Sequence, residues 1–287
     1  MVRRLIVNAD DFGRTTSVSE GVIDAFQNKQ VSSTTLLVNT PGTEEAVGLA
    51  ERNPGLGVGL HFNLTEGQPL TSAKSLIDEN GQFWSRRQLL CKLLTRAVSP
   101  ADITSEFIAQ LDRAEDLGIT PTHIDSHEHV HMAPAVFAPM VPVLRDRVRR
   151  LRLVMPPRMS LARLSDLTPS ASFKTEVLRR SATRIRTPFG GLTNERFVSL
   201  HQLPRRTTWT ADEYRRLALS GPTSSVTEMM VHPYSPGNDL TSLYRHHPNQ
   251  AAINEFLTKC HLEHQILTDS PVFDPTKFEL ISFDQLE

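Results

Sequence analysis

Between residues 5 and 62 the chain alternates short β-branched runs with stretches of helical spacing, joined by connections of a few residues. The spacing predicts strands over 5–7, 33–38 and 58–62, with helices over 17–28 and 43–52 between them. Val18, Val22, Ile23 and Phe26 fall near the helical period. Thr43 is suited to cap the second helix, with Glu44 and Glu45 in its first turn, and Asn53-Pro54-Gly55 ends it. Strand, helix, strand, helix, strand with short links is the pattern of a parallel sheet. Barrels of this α/β kind commonly reach about 250 residues, so one domain over residues 1–287 is expected.

The pattern continues with interruptions. Residues 65–82, rich in Gly, Pro, Ser and Asn, read as a loop forming a wall or lid over a site. Helices are predicted over 85–97, 102–117, 134–149, 212–219 and 249–263, and strands over 122–125, 151–154 and 226–231, with an edge strand over 279–282. Residues 156–206 read as an insertion or elaborated crossover that holds a helix over 173–185.

Composition removes several function classes. With 31 basic and 32 acidic side chains the formal net charge is -1, which gives no global attraction to nucleic acid or anionic membranes. The run Arg145, Arg147, Arg149, Arg150 and Arg152 reads as a solvated helix end before a strand, in preference to an anion patch. Two cysteines, Cys91 and Cys260, make neither a disulfide framework nor a thiolate zinc site. No apolar run approaches the ~20 residues of a membrane span, and the N-terminal run is too short for a signal peptide, so a cytoplasmic protein is expected. There is no dinucleotide fingerprint, phosphate loop or Gly-x-Ser-x-Gly elbow.

The chemistry collects at predicted strand ends. Asp10 and Asp11 follow Leu5-Ile6-Val7 directly, and adjacent carboxylates need a cation or a shared proton. His61 ends the third strand, while His123, His127, His129 and His131 supply four of the 11 histidines within one short stretch. In an extended chain His127, His129 and His131 would share a face; on a helix His127 and His131 would align. Strand C-terminal ends are where barrel and doubly wound enzymes build their sites. Two histidines and a carboxylate with open positions suit a hydrolytic metal or non-haem iron. His232, before Pro233 at another strand end, either caps a turn or joins the site; Glu128 is a base or a solvent-facing side chain.

Three motifs, taken together, resemble one family closely. They are Val7-Asn8-Ala9-Asp10-Asp11-Phe12-Gly13, then Gly59-Leu60-His61-Phe62-Asn63-Leu64-Thr65, then Thr122-His123-Ile124-Asp125-Ser126-His127 with His129-Val130-His131. The family is the YdjC-like carbohydrate deacetylases, which include chitooligosaccharide deacetylases and a hopanoid-biosynthesis branch. The match is looser at the C-terminal His232-Pro233, where Tyr234 follows in place of the glycine of many relatives.

The resemblance implies a distorted TIM-like (β/α) barrel with its site at the strands' C-terminal ends. It implies one divalent ion held by Asp11, His61 and His127, with Asp10 as general base and His232 as general acid. Asp125, His129 and His131 would orient ligands or line the pocket. Relatives are described with magnesium, but two imidazoles favour zinc, cobalt or another transition ion. The expected reaction is hydrolysis of an N-acetyl group on an amino sugar or short chito-oligosaccharide. A glycosylated lipid substrate, phosphoester hydrolysis and a non-catalytic sugar-binding module are the alternatives. A homo-oligomer is expected from the family alone.

Overall fold

The computed structural model describes residues 2–155, 169–202, 209–245, 249–269 and 271–287. Its first strand, β1 (Arg3–Phe12), is interior from Leu5 onward, because apolar and β-branched side chains bury both faces between neighbouring strands. Next come α1 (Thr16–Gln27), β2 (Ser33–Leu36), α2 (Thr43–Glu51) and β3 (Gly57–Phe62). The strand-helix alternation expected from the sequence is present, with boundaries shifted by a few residues. The cap of α2 differs: Gly42 occupies that position, and the Thr43 hydroxyl is shared between the Leu37 and Thr40 carbonyls at 2.8 Å each.

The chain continues through α3 (Arg86–Leu94), α4 (Pro100–Asp116), β4 (Ile124–Ser126), α5 (Pro134–Arg147) and β5 (Arg150–Leu151). Then follow α6 (Pro169–Phe189), β6 (Leu192–Thr193), β7 (Arg196–Val198), α7 (Ala211–Leu219) and β8 (Thr227–Val231). The last elements are α8 (Asn238–Leu243), α9 (Gln250–Asp269) and β9 (Phe278–Leu280). Of the expected crossover over 156–206, residues 156–168 and 203–206 lie outside the described residues. The described remainder supplies a helix and two strands of the main sheet.

Every named strand pair is parallel, in the order β6-β5-β4-β3-β2-β1-β8-β7. The two ends of that order are consecutive in sequence, since β6 ends at Thr193 and β7 begins at Arg196. The sheet must therefore curl until its ends meet, which makes a distorted barrel of the α/β class. Buried Asn194 stitches the seam: its amide donates to the carbonyls of Leu153 and Arg196 at 3.0 Å each, and its oxygen accepts from Leu153 N–H at 2.6 Å.

The tail strand departs from expectation. β9 is not an edge; it pairs with Arg3–Leu5 at the start of β1, in the middle of the sheet. Apolar Ile281, Phe283 and Leu286 pack there on Ile6 and close the end of the barrel opposite the acids. Gly59 faces that plug: a Cβ would meet the His123 ring at 2.5 Å, and that ring stacks on Phe283 at 3.7 Å. His123 is thus a buried packing residue. Burial drives its pKa down to about 3, so it stays neutral.

The polar stretch after β3 is a wall. Buried Glu106 on α4 accepts from the N–H groups of Leu70 and Thr71 at 3.0 Å and from the Thr71 hydroxyl at 2.7 Å. Asp102 holds Ser75 in the same way, through its N–H at 2.9 Å and its hydroxyl at 2.7 Å. Among the described residues no helix is long and apolar enough to cross a membrane.

Candidate metal centre and active site

Consecutive residues of a strand point to opposite faces, so Asp10 and Asp11 could not share one site on a regular β1. The chain turns at Asp11, whose φ of 70° lies in the left-handed region. Such a backbone costs about 1–3 kcal/mol for a residue other than glycine and is kept where the surroundings fix it. Here they do: the Asp11 side chain is bonded on both oxygens. The turn sends the two carboxylates to different partners.

Asp11 Oδ1 faces His61 Nε2 at 3.1 Å and His127 Nδ1 at 2.8 Å. Oδ2 accepts from Arg14 Nη1 at 3.2 Å and from the Tyr234 hydroxyl. Burial opposes the charge, but His127 and Arg14 outweigh it and hold Asp11 well below the usual carboxylate range. The three donors Asp11, His61 and His127 converge and are all buried.

Each imidazole is held from behind by another carboxylate. The β3–β4 ladder pairs His61 with Asp125, so their side chains emerge side by side. His61 Nδ1 is 2.6 Å from Asp125 Oδ1, and the Thr35 hydroxyl donates to Asp125 Oδ2 at 3.1 Å. His127 Nε2 is 3.2 Å from Glu66 Oε2, and Arg14 reaches Glu66 through Nε at 3.0 Å and through Nη2. Burial disfavours charge on both rings, yet Asp125 and Asp11 raise His61 to about 10, and Asp11 and Glu66 raise His127 to about 9. Both rings therefore carry protons near neutral pH. Two imidazoles turned toward Asp11, each with its far nitrogen on a carboxylate, fit a divalent ion. Nitrogen donors favour a transition ion over magnesium.

Asp10 goes the other way, to Arg152. The guanidinium donates to both Asp10 oxygens, at 2.6 and 2.7 Å, and also reaches Asp125 at 2.5 Å and Glu228 at 2.6 Å. Arg152 is 0% exposed, which corrects its expected place in a solvated basic stretch. The other arginines of that stretch do serve the surface and loops: Arg147 pairs with Asp112 and Glu115, and Arg145 caps the Pro188 carbonyl. Burial would raise Asp10, but the Arg152 charge prevails and keeps it ionised. Glu228 is pushed up to about 8 by burial and by Asp10 and Asp125, against Arg152.

The histidine stretch fits neither an extended chain nor a regular helix. Residues His127–Met132 form a tight 3-10 turn in which Glu128 and His129 have φ of 53° and 58°. The rings diverge. His127 enters the centre, His129 packs edge-on against Phe197 at 5.6 Å, and His131 braces Ser126 Oγ at 2.5 Å and the Arg152 carbonyl at 3.1 Å. Glu128 sits 4.0 Å from Arg86, away from the donors.

His232 leaves the end of β8. Its N–H donates to Glu263 Oε2 at 2.5 Å, and its ring lies 4.7 Å from His201 and 5.8 Å from Phe256. Burial, then the neighbouring His201, lowers His232 to about 4, so the ring is neutral in the free chain. Two further donor groups converge among the described residues. In Asp10–His61–Asp125, Arg152 already supplies the positive charge. In His201–His232–Glu263, the carboxylate is taken by the Tyr214 hydroxyl, His201 and the His232 N–H.

The sequence points to the expected ligands and acid–base residues but gives no role in the site to Arg14, Thr35, Glu66, Arg152, His201, Tyr234 or Glu263. Arg152 had a usable signal, a lone charge inside the apolar run Leu151 to Val154. Arg14 stands three residues after Asp11, but the others carry no local mark.

Comparison with known proteins adds lineage. The profile of the YdjC-like protein family matches residues 4–274. A carbohydrate deacetylase of Geobacillus stearothermophilus is 47% identical over 163 residues, 55% of this chain and 64% of that protein. A chitooligosaccharide deacetylase of Serratia marcescens is 44% identical over 142 residues, 48% of this chain and 54% of that one. The alignments thus span between about half and two thirds of these relatives. A crystal structure from Enterococcus faecalis, described as a candidate cellobiose-phosphate cleavage protein, is 22% identical. It superposes with a TM-score of 0.67 over 99% of this chain and 98% of its own, which is a likeness of fold. Since the profile runs from β1 almost to β9 and takes in every donor of the centre, the chain belongs to the YdjC-like family.

Proposed function

We propose that this chain is a metal-dependent carbohydrate deacetylase that hydrolyses the acetamide of an amino sugar or short chito-oligosaccharide. The observation that carries the reading is the pairing of two sites on one turn. Asp11, with two carboxylate-backed imidazoles, forms a cation centre, and beside it stands an ionised Asp10 fixed by Arg152. The names of the relatives supply the substrate class.

Asp11, His61 and His127 would hold the ion. When bound, it supplies a Lewis acid that polarises the acetamide carbonyl and makes water acidic enough to attack near neutral pH. Asp10 takes the proton of the attacking water. Arg152 and the Asn8 amide, at 2.9 Å, hold its oxygens in place and keep them unprotonated beforehand. His232 gives a proton to the departing nitrogen. Because burial keeps that ring neutral at rest, the proton it delivers is gained within the turnover, ultimately from the same water. Hydrolysis then balances: the water oxygen stays on acetate and one of its protons ends on the amine.

Phosphoester chemistry is disfavoured by charge. Arg152 is spent on three carboxylates and Arg14 on two, which leaves neither for a phosphate.

The test is acetate release from N,N′-diacetylchitobiose and N-acetylglucosamine by metal-stripped protein, with zinc, cobalt or magnesium restored. Acetate that appears only with metal, and best with zinc or cobalt, is the expected result. A metal-loaded protein that releases none from either sugar contradicts this substrate class.

A further inference from the structure

We propose that Tyr234 is a positioning residue of the metal centre: its hydroxyl holds Asp11 Oδ2, so that Asp11 presents Oδ1 alone to the ion. The inference rests on the ligand set proposed above. A carboxylate can bind a cation through one oxygen or both, and which it does sets the number of positions left for water and substrate. Here the two oxygens of Asp11 have separate surroundings. Oδ1 looks toward His61 and His127, whereas Oδ2 is taken by the Tyr234 hydroxyl and Arg14 Nη1.

Tyr234 is held by structure that is also attached to Asp11. The segment after β8 lies directly on α1, the helix that begins after the Asp11 turn. Ser235 N–H donates to the Ser17 carbonyl at 3.2 Å. Asp239 accepts from Ser17 twice, from N–H at 2.8 Å and from Oγ at 2.6 Å. Gly21 marks how close the contact is: a Cβ there would meet the Pro233 oxygen at 2.0 Å. On its other side the Tyr234 carbonyl is 2.9 Å from His261 Nδ1 on α9. The ring itself is buried among Val18, Leu240 and Cys260.

A phenol fixed from both flanks cannot follow Asp11 if the carboxylate swings, so it resists rotation of Asp11 toward two-oxygen binding. The hydrogen bond to Oδ2 also fixes the plane of the carboxylate, as partners behind metal ligands do elsewhere, where losing one typically costs 10–100-fold in affinity.

Tyr234→Phe removes the hydroxyl and keeps the ring. The full-length chain, stripped of metal, is titrated with zinc against a fluorescent chelator, with Asp11→Asn alongside. The expected result is a Kd about 10–100-fold weaker for Tyr234→Phe and no measurable site in Asp11→Asn. The cobalt-loaded Tyr234→Phe protein should also show altered visible absorption bands, which a change in packing alone would not produce. A Tyr234→Phe protein with the Kd and cobalt spectrum of the parent, while Asp11→Asn binds nothing, overturns the inference and leaves the ligand set standing. Asp11→Asn with unchanged zinc affinity overturns the ligand set, and the inference with it. If Tyr234→Phe does not fold, Arg14→Gln removes the other donor to Oδ2 and must weaken zinc in the same direction; parental affinity there refutes the claim.

Discussion

Replacing Arg152 by methionine tests the electrostatic frame of the site. The side chain is 0% exposed and serves Asp10, Asp125 and Glu228 at 2.5 to 2.7 Å. Methionine preserves much of the volume and removes the charge. Glu228, raised to about 8, already carries a proton near neutrality, so the loss falls on Asp10 and Asp125. Leaving a buried carboxylate without its partner costs about 3–5 kcal/mol. The protonated His61 ring beside Asp125 offsets part of the second charge, so a total of about 3–5 kcal/mol is expected at neutral pH. That is a large share of the roughly 5–15 kcal/mol that holds a domain together. The pH dependence has a definite sign. With Arg152 present, Asp10 and Asp125 titrate below their ordinary 3.8, so their contribution is present above that value and lost as pH falls through the depressed pKa values. Without Arg152, burial loses its main opponent and only the neighbouring histidines still act against it, so both pKa values rise and the two carboxylates are relieved by acid. Urea unfolding of both proteins at about pH 7 and about pH 5 should show a gap that narrows on acidification. A loss below about 1 kcal/mol, or a gap that widens in acid, would refute the reasoning.

In the parent, the raised pKa of Glu228 gives a contribution present below about 4.5 and lost as pH rises through about 8. Glu228→Gln removes that loss, so the variant should gain on the parent steadily between those values, and a constant difference in denaturation midpoint would contradict it. Zinc added to metal-stripped protein near neutral pH should displace about two protons, from His61 and His127, as read by calorimetry in buffers of different ionisation heat. No net proton release would mean the rings are neutral before binding. Glu263→Gln should loosen the strand end that carries His232 and lower kcat by up to about 100-fold with metal content unchanged, whereas an effect confined to KM would argue against a role in placing that ring.

Much of this was legible locally. Asp10 and Asp11 stand near the end of β1 and His61 near the end of β3, each after apolar residues of a strand, while His127 just past β4 is marked by the density of histidines around it. The strand-helix alternation, read from periodicity, carries the parallel sheet. What escaped depends on contacts between distant segments. Arg152 reaches Asp10 across 142 positions, and Tyr234 reaches Asp11 across 223. Nothing beside either residue marks its partner, and Arg152 follows surface arginines that disguise it. The turn at Glu128 and His129 escaped for another reason: both adopt left-handed backbone without the glycine that would signal it. The closing seam was hidden because one asparagine side chain, Asn194, does the work expected of a strand ladder.

In the proposed function two adjacent carboxylates divide two tasks, Asp11 holding the ion and Asp10 receiving the proton. Zinc content and acetate release, measured on the same samples of the parent, Asp10→Asn and Asp11→Asn, test that division. The account predicts that Asp10→Asn keeps its zinc and loses roughly 100-fold or more in rate, as removal of a general base does, while Asp11→Asn loses both. Zinc retained at the parental level by Asp11→Asn, or parental turnover by Asp10→Asn, would contradict it.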